Sequence, residues 1–279
     1  MNRSFTFNGY KVEIDRPLVM GILNLTPDSF SDGGLHDSPA TALARAKKLV
    51  EAGADILDLG AESTRPGSQP ISTDEELDRL LPVLRELPRD EFLVSVDSCK
   101  PEVQAAAIEQ GAHIINDILG GTEELFALAE KHGCGVVCMH TPAPPATMQQ
   151  HTDYDDVVEA VDQFFEVRHA TLRKYDLPRY WVDPGIGFGK TPQQSIELMR
   201  HTQLFCGAHW GVLVGASRKS WIDGTLGAEV DQRLGGSIAA ALHCAAQGAE
   251  ILRVHDVFET SQALAATGLL NQPAWTSSS

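Results

Sequence analysis

Phe92-Leu-Val-Ser-Val-Asp97 is a short apolar run that ends in a carboxylate. His113-Ile-Ile-Asn-Asp-Ile118 repeats the pattern after an intervening segment of helical length. Both runs are rich in β-branched residues, as expected of parallel strands that are buried on both faces. The pair therefore predicts one β-α-β unit of a parallel sheet.

The same pattern occurs six more times along the chain, at residues 19–24, 55–60, 135–140, 180–184, 212–217 and 251–255. The intervening segments carry helical signals, such as the apolar face of residues 40–52 and the alanine-rich residues 233–248. Ser72 with Glu75 predicts a capping box, and Thr191 before Pro192 predicts another helix start. Eight strands that alternate with helices predict a closed (β/α)8 TIM barrel, an α/β fold.

Residues 4–15 differ from this repeat because apolar and polar residues alternate around Asn8-Gly9. Asn-Gly between alternating segments predicts a β-hairpin, which we place at the lower mouth of the barrel. The chain is thus interpreted as one domain: a hairpin (1–17), the barrel (18–270) and a polar tail (271–279). A doubly wound open sheet is the rival fold, but its usual G-x-G-x-x-G turn is absent after the first barrel run.

Composition narrows the classes of partner. The chain has 279 residues and a net charge of −16, so its field repels nucleic acid and acidic membranes. It contains no apolar run of about 18 residues and no signal-peptide pattern at its start. The five cysteines form no C-x-x-C pair, which favours a reducing compartment. We therefore expect a cytoplasmic protein that binds small molecules.

Polar residues collect at the carboxyl ends of the predicted strands, which is where barrel enzymes carry their chemistry. We expect two of these residues, Asp58 and Asp117, to be structural. The full set comprises Asn24, Asp58, Asp97, Asn116, Asp117, His140, Asp183, Ser217, Arg218, Lys219, Arg253 and His255.

The chemistry of this set indicates its ligands. Amide and carboxylate acceptors suit a flat heterocycle that presents N–H and NH₂ donors. Arg253, His255 and Lys219, with Arg65 on a Gly/Pro loop, can balance a diphosphate. Asn24 is a neutral oxygen ligand of the kind that holds Mg²⁺ together with substrate phosphates. The residues predict a displacement of diphosphate, and no nucleophile–base pair of the triad type is found.

Seven motifs in order resemble the signatures of the dihydropteroate synthase family, and they span about residues 18–258. They are Gly21-Ile-Leu-Asn-Leu-Thr-Pro-Asp-Ser-Phe-Ser-Asp-Gly-Gly34, Asp58-Leu-Gly-Ala-Glu-Ser-Thr-Arg-Pro-Gly67, Ser95-Val-Asp-Ser98, Ile115-Asn-Asp-Ile118, Asp183-Pro-Gly-Ile-Gly-Phe-Gly-Lys-Thr191, Ser217-Arg-Lys-Ser220 and Arg253-Val-His-Asp256. The chain departs from the pattern after the fifth strand, where Thr141-Pro-Ala-Pro-Pro145 replaces the usual loop.

The resemblance implies a role for each matching residue. The pterin ring would contact Asp97, Asn116, Ile118, Met139, Asp183, Lys219 and Arg253. The diphosphate would contact Asn24 with Mg²⁺, Thr64, Arg253 and His255. The p-aminobenzoate, which sulfonamides mimic, would contact Pro66, Phe188 and Ser220, with Phe30, Asp32 and Arg65 folding over it. Asp97, Asp183, Lys219, Arg253 and His255 would carry catalysis. The family also implies a homodimer that uses the last two helices.

Three other functions are compatible with parts of the pattern. A methyltetrahydrofolate-dependent methyltransferase domain would share the ring contacts but would not need Ser217-Arg-Lys, the loop at Thr64 or Arg253-x-His255. A Schiff-base lyase would use Lys219. A non-catalytic pterin-binding homologue would be expected to have degenerate loops, whereas both loop signatures look intact.

Overall fold

The computed structural model describes residues 3–26, 39–64, 67–88 and 90–270. Eight parallel strands close into a barrel, and each pairs with its neighbour along the chain until the last pairs with the first. This confirms the predicted (β/α)8 barrel. The strands are β3 (Leu18–Asn24), β4 (Ile56–Gly60), β5 (Leu93–Asp97), β6 (Ile114–Asp117), β7 (Gly135–Met139), β8 (Tyr180–Asp183), β9 (Gly211–Val214) and β10 (Ile251–Val254).

Helices connect successive strands and cover the outside of the barrel. They are α1 (Pro39–Glu51), α2 (Thr73–Glu86), α3 (Pro101–Glu109), α4 (Glu123–His132), α5 (Val157–Leu172), α6 (Pro192–Arg200), α7 (Ser220–Leu226), α8 (Leu234–Ala246) and α9 (Val257–Leu270). Within the described ranges, none of these helices has the length and hydropathy needed to cross a membrane.

Both predicted helix starts are present. Ser72 accepts a hydrogen bond from the backbone of Glu75, which is one half of a capping box. Thr191 forms a complete box with Gln194, because each side chain bonds the backbone of the other residue. Such caps satisfy backbone donors that have no partner within the helix.

The antiparallel hairpin β1 (Arg3–Phe7) and β2 (Tyr10–Ile14) precedes the barrel. Asn8 and Gly9 both have positive φ, 45° and 88°, as a type I′ turn requires. Phe7 is fully buried and its ring centroid lies 5.6 Å from that of Trp181 inside the barrel. The hairpin therefore covers the amino-terminal mouth, as the sequence predicts.

Strand periodicity decides which side chains enter the barrel. Successive side chains of a strand alternate between its faces. An apolar layer, which includes Ile56, Leu93 and Ile251, fills the lower interior against the hairpin. The residue two positions after each of these therefore also points inward, and these residues are Asp58, Ser95 and Arg253. The lower half of the interior is thus a packed core, and the upper half is a polar site.

The predicted strand ends are accurate to within three residues. The largest difference is at the predicted run 212–217, since β9 ends at Val214. The chain leaves the sheet there to reach Arg218, whose φ of 56° is in the left-handed region. The backbone N–H of Arg218 donates to Ser237 Oγ at 2.9 Å, which stabilises this turn. The predicted tail at 271–279 lies outside the described residues.

Candidate active site

Arg253 is held between two carboxylates in the upper half of the barrel. Its Nε donates to Asp58 Oδ2 at 2.6 Å, and its Nη2 donates to Asp97 Oδ2 at 2.7 Å. The side chain thus reaches from β10 across the interior to β4 and β5. Burial acts to lower the pKa of Arg253, but the two carboxylates raise it above its ordinary value. The guanidinium is therefore charged and fixed in plane, and Nη1 takes part in neither bond.

Asn116 shares the same carboxylate. Its Nδ2 donates to Asp58 Oδ2 at 3.2 Å, so its amide oxygen is turned away from Asp58. Asp97 pairs in register with Asn116 on the neighbouring strand. Burial raises the pKa of Asp97, Arg253 opposes this shift, and Asp58 adds to it. The interior thus presents two adjacent hydrogen-bond acceptors, one of them a carboxylate that is costly to keep charged without a partner.

Asp183 and Lys219 form the opposite side of the site. Asp183 is 5% exposed, and its Oδ1 accepts from the backbone of Gly185 at 2.7 Å. Burial raises its pKa, while Lys219 is the strongest opposing influence. Lys219 Nζ donates to the carbonyl of Ile186 at 2.7 Å and lies 4.6 Å from the ring centroid of Phe188. Burial lowers the pKa of Lys219 to about 8, although Asp183 opposes the shift.

A second lysine fixes the loop that follows β8. Lys190 is 4% exposed, and its Nζ lies 2.8 Å from His140 Nδ1 and 3.0 Å from the His140 carbonyl. Burial lowers the pKa of Lys190 to about 7, and burial with Lys190 lowers that of His140 to about 3. The imidazole is therefore neutral and accepts from the lysine. A Cβ on Gly185 would come within 2.0 Å of the His140 carbonyl, so this loop requires glycine there.

His255 lies on the exposed rim. Its Nδ1 and its backbone nitrogen are each 3.2 Å from Ser217 Oγ. Desolvation, Arg253 and Arg218 together lower its pKa to about 4. The lowered pKa favours the neutral imidazole in the protein alone, and a neutral imidazole can hydrogen-bond an anion.

Asn24 and Asp97 face the same point on the wall of the barrel. A Cβ placed on Gly60, between their strands, would lie 3.8 Å from Asn24 Oδ1 and 3.8 Å from Asp97 Oδ2. Asn24 and Thr64 are both half-buried. Among the residues that the structure describes, no group of three or more His, Cys, Asp and Glu side chains could hold a metal ion. A single half-buried amide oxygen fits a magnesium ion that takes most of its ligands from water and phosphate.

The remaining predicted contacts are only partly described. Ile118 and Met139 are buried, Phe188 is half-buried beside Lys219, and Ser220 is exposed at the start of α7. The structure thus brings together the predicted pterin residues on neighbouring strands. The predictions for Phe30, Asp32, Arg65 and Pro66 lie outside the described residues.

Asp117 is structural, as expected from the sequence. Its Oδ1 accepts from the backbone of Leu119 and its Oδ2 from Gln104, both at 2.7 Å. Asp117 lies two positions after Ile115, which packs on the outside of the barrel, so Asp117 also points outward. Asp58 likewise binds only protein groups, but these groups, Arg253 and Asn116, lie inside the site.

Lys100 is a functional candidate that the sequence reasoning missed. Its Nζ pairs with Glu62, at the base of the loop after β4, and donates to Glu76 Oε2 at 2.5 Å. Glu76 is 1% exposed on α2. The three residues attach the base of the loop that bears Thr64 to two helices. Their sequence separation hides the cluster, since no local pattern joins these positions.

Fold and site together define a class of protein. The carboxyl ends of the barrel strands carry cations and buried acceptors, namely Asp97, Asn116, Asp183, Lys219 and Arg253. A barrel with this interior can accept a donor-rich ring. The family model described as "Pterin binding enzyme" matches residues 20–255.

More narrowly, the chain belongs to the dihydropteroate synthase family, whose members are transferases. Dihydropteroate synthase of Escherichia coli (strain K12) is 44% identical over 261 residues, which cover 92% of each chain. Xanthomonas albilineans dihydropteroate synthase with 4-aminobenzoic acid superimposes with a TM-score of 0.91 at 39% identity, over 98% of this chain and 100% of that one. Yersinia pestis dihydropteroate synthase in a sulfonamide drug complex gives 0.88 at 39% identity, over 96% and 99%.

These relationships confirm the resemblance found in the motifs. They favour the synthase over the methyltetrahydrofolate-dependent methyltransferase domain, since the Escherichia coli and Xanthomonas albilineans proteins are dihydropteroate synthases that match over nearly their whole length. They also favour it over a lyase that uses Lys219, and over a non-catalytic homologue.

Proposed function

We propose that this barrel condenses 6-hydroxymethyl-7,8-dihydropterin diphosphate with p-aminobenzoate to give 7,8-dihydropteroate and diphosphate. The observation that carries the proposal is the arrangement of acceptors and cations in the upper barrel. Asp97 and Asn116 form one pair of acceptors, and Asp183 with Lys219 lies on the other side of Arg253. The guanidinium of Arg253 is fixed by two carboxylates. This arrangement is complementary to a flat ring that has donors along one edge and an anion attached to it.

Ring recognition rests on burial. Asp97, Asn116 and Asp183 are each less than 8% exposed, so a ligand that leaves them unpaired loses about 1–3 kcal/mol for each contact. Pterin donors would pair with these oxygens, and Lys219 would donate to an acceptor of the ring. Ile118 and Met139 would form apolar walls.

The reaction is a displacement at the methylene carbon of the pterin. The C–O bond to diphosphate breaks and its electron pair leaves with the diphosphate, so positive charge develops on the pterin. The amine nitrogen of p-aminobenzoate then forms the new C–N bond and releases one proton. The carboxylates of Asp97 and Asp183 stabilise the cationic ring. A neutral aniline is nucleophilic enough to need no strong general base.

The departing diphosphate would be held by groups at the rim of the site. Arg253 uses Nε and Nη2 for Asp58 and Asp97, so Nη1 is the nitrogen best placed to donate to phosphate. Thr64 and His255 would add neutral hydrogen bonds. Arg253 would also stack on the pterin through its planar face.

Magnesium is the cofactor that we propose, with Asn24 as its protein ligand. Asn24 offers a half-buried amide oxygen next to Asp97. When bound, the ion would neutralise charge on the leaving diphosphate.

The p-aminobenzoate would bind nearer the surface, against Phe188 and Ser220, with Pro66, Phe30, Asp32 and Arg65 contributed by the two loops. The aromatic face of Phe188 lies beside Lys219, so the second substrate would enter directly above the pterin. Sulfonamides would occupy the same place.

We further propose a homodimer that works in the cytoplasm. Large apolar side chains are exposed on the last two helices, α8 and α9, including Leu234 (39%), Phe258 (58%) and Leu269 (69%), and such residues favour an interface. The free cysteines fit a reducing compartment. Light scattering after chromatography tests the dimer, and a monomer at micromolar concentration would refute it.

One assay tests the activity. The purified protein is mixed with the pterin diphosphate, p-aminobenzoate and Mg²⁺, and dihydropteroate and diphosphate are quantified. We expect both products in equal amounts and a loss of turnover with EDTA. Absence of dihydropteroate from folded protein would overturn the proposed function, whereas turnover unaffected by EDTA would overturn only the metal.

A further inference from the structure

Asp58 occupies an unusual position between two residues of the site. It is fully buried on β4, and none of the roles proposed above assigns it contact with a substrate. A single oxygen, Oδ2, accepts from both Arg253 Nε at 2.6 Å and Asn116 Nδ2 at 3.2 Å. The two donors come from β10 and β6, which lie on opposite sides of β4 in the barrel. One carboxylate oxygen therefore fixes two side chains from different strands.

The contact with Asn116 determines what the ring would encounter. An amide has one donor end and one acceptor end, and a rotation of the group by half a turn exchanges them. Because Asp58 accepts from Nδ2, the acceptor end of Asn116 is directed elsewhere. Without an acceptor at position 58, both orientations of the amide become accessible, and one of them would place a donor against the donors of the ring.

The contact with Arg253 has a similar effect on the guanidinium. Asp58 and Asp97 bind two different nitrogens of the same planar group, which fixes both its position and its tilt. Loss of the Asp58 contact would leave a single contact, about which the guanidinium can rotate. The stacking face and Nη1 would then no longer have one fixed direction.

We propose that Asp58 is a positioning residue for pterin binding, which fixes the amide of Asn116 and the guanidinium of Arg253 through one oxygen. The inference rests on the proposed function, since it takes the pterin roles of these two residues as given. Asp58 itself would touch no substrate. Its effect would fall on the contacts with the pterin and its diphosphate, because neither partner belongs to the proposed p-aminobenzoate contacts.

Two substitutions separate positioning from charge. Asp58→Ala removes the acceptor and the charge, whereas Asp58→Asn removes the charge but keeps an oxygen that can occupy the position of Oδ2. We expect Asp58→Ala to weaken binding of 6-hydroxymethylpterin about 30- to 100-fold in calorimetry, since two buried donors lose their partner. We expect Asp58→Asn to recover most of this loss and to bind within about fivefold of wild type.

A matched control comes from Asp117, a buried carboxylate that accepts two hydrogen bonds outside the site. Asp117→Ala should lower the melting temperature as much as Asp58→Ala or more, yet leave pterin affinity unchanged.

In steady-state kinetics, Asp58→Ala should raise KM for the pterin diphosphate and lower kcat, while KM for p-aminobenzoate stays within about twofold.

The outcomes distinguish this inference from the proposed function. Equal pterin affinities for Asp58→Ala and Asp58→Asn would overturn it, as would wild-type affinity in folded Asp58→Ala. If Asp58→Ala does not fold, Asp58→Asn still decides, because a loss of 30-fold or more there would make charge and not position the cause. A wild-type protein that binds the pterin but forms no dihydropteroate would refute the proposed function, and the binding comparison would remain valid.

Discussion

Replacement of Arg253 by lysine tests whether the site needs a planar cation or only a positive charge. The guanidinium makes two charged hydrogen bonds to two buried carboxylates, at 2.6 and 2.7 Å. A lysine ammonium is a compact group that cannot span Asp58 and Asp97 in this geometry while also donating to a phosphate. Arg253→Lys therefore leaves at least one of these carboxylates without its cation.

The magnitude follows from these contacts. A hydrogen bond to a charged group contributes about 1.5–3 kcal/mol, and the stacking face adds about 0.5–1 kcal/mol where it is exposed to the ring. The expected loss of transition-state stabilisation is thus about 2–4 kcal/mol, which corresponds to about a 30- to 1000-fold decrease in kcat/KM. We expect Arg253→Lys to be nearly as defective as Arg253→Ala.

The control is a chemically identical change at the other mouth of the barrel. Arg179 is 3% exposed and binds Glu250 through Nε and Nη2, below the apolar layer. Arg179→Lys should lower the melting temperature and leave kcat/KM of the folded protein within about twofold of wild type. Activity of Arg253→Lys within about threefold of wild type would refute the reasoning, because a bulk positive field would then suffice.

Three further predictions concern the same site. Asp183→Asn should fold and lose turnover by at least about 10-fold, since an amide would turn a donor toward the ring and the charge would be gone; wild-type turnover in the folded variant would contradict this role. Burial lowers the pKa of Lys219 to about 8, so this side chain is mainly charged below that pH and neutral above it. Pterin affinity should therefore fall as pH rises through 8, and Lys219→Arg should remove this decline. The loops at residues 24–34 and 62–72 are rich in Gly, Pro and Ser, a composition that favours mobility. We therefore expect calorimetry to detect p-aminobenzoate or sulfonamide binding only when Mg²⁺-diphosphate and a pterin are present. Equal affinity in their absence would indicate a preformed pocket.

The barrel itself was predictable because its signals are local and repeated. Each strand is a β-branched run, and each helix shows its own start or periodicity, so the closed barrel follows from the count and order of elements. The hairpin was predictable from Asn8-Gly9 alone, since few other sequences form a type I′ turn as readily. The end of β9 was not, because it depends on how Arg218 is held by Ser237 from a later helix.

The sequence predicted which strand ends form the site. It did not predict which side chains enter the barrel or which of them pair with each other. The alternation of side chains along a strand could have separated Asp58 from Asp117. Asp58 lies on the same face as Ile56, which packs inside the barrel, whereas Asp117 lies on the same face as Ile115, which packs between the barrel and the helices. Pairings such as Lys100 with Glu62 and Glu76, or Lys190 with His140, join residues far apart along the chain. No single-sequence pattern encodes them, since they depend on the curvature of the barrel.

The charge balance of the site indicates how binding and catalysis are linked. Three carboxylates, Asp58, Asp97 and Asp183, lie in the interior near two cations, Arg253 and Lys219, and burial raises the pKa of both Asp97 and Asp183. A buried carboxylate with a raised pKa is destabilised in its charged form, so a ligand that brings donors or positive charge relieves that cost. In the proposed reaction, the neutral pterin would supply donors, and the pterin cation that forms as diphosphate leaves would supply charge as well. The interaction of Asp97 and Asp183 with the ring would therefore strengthen between the bound substrate and the transition state, and only interactions of that kind raise kcat.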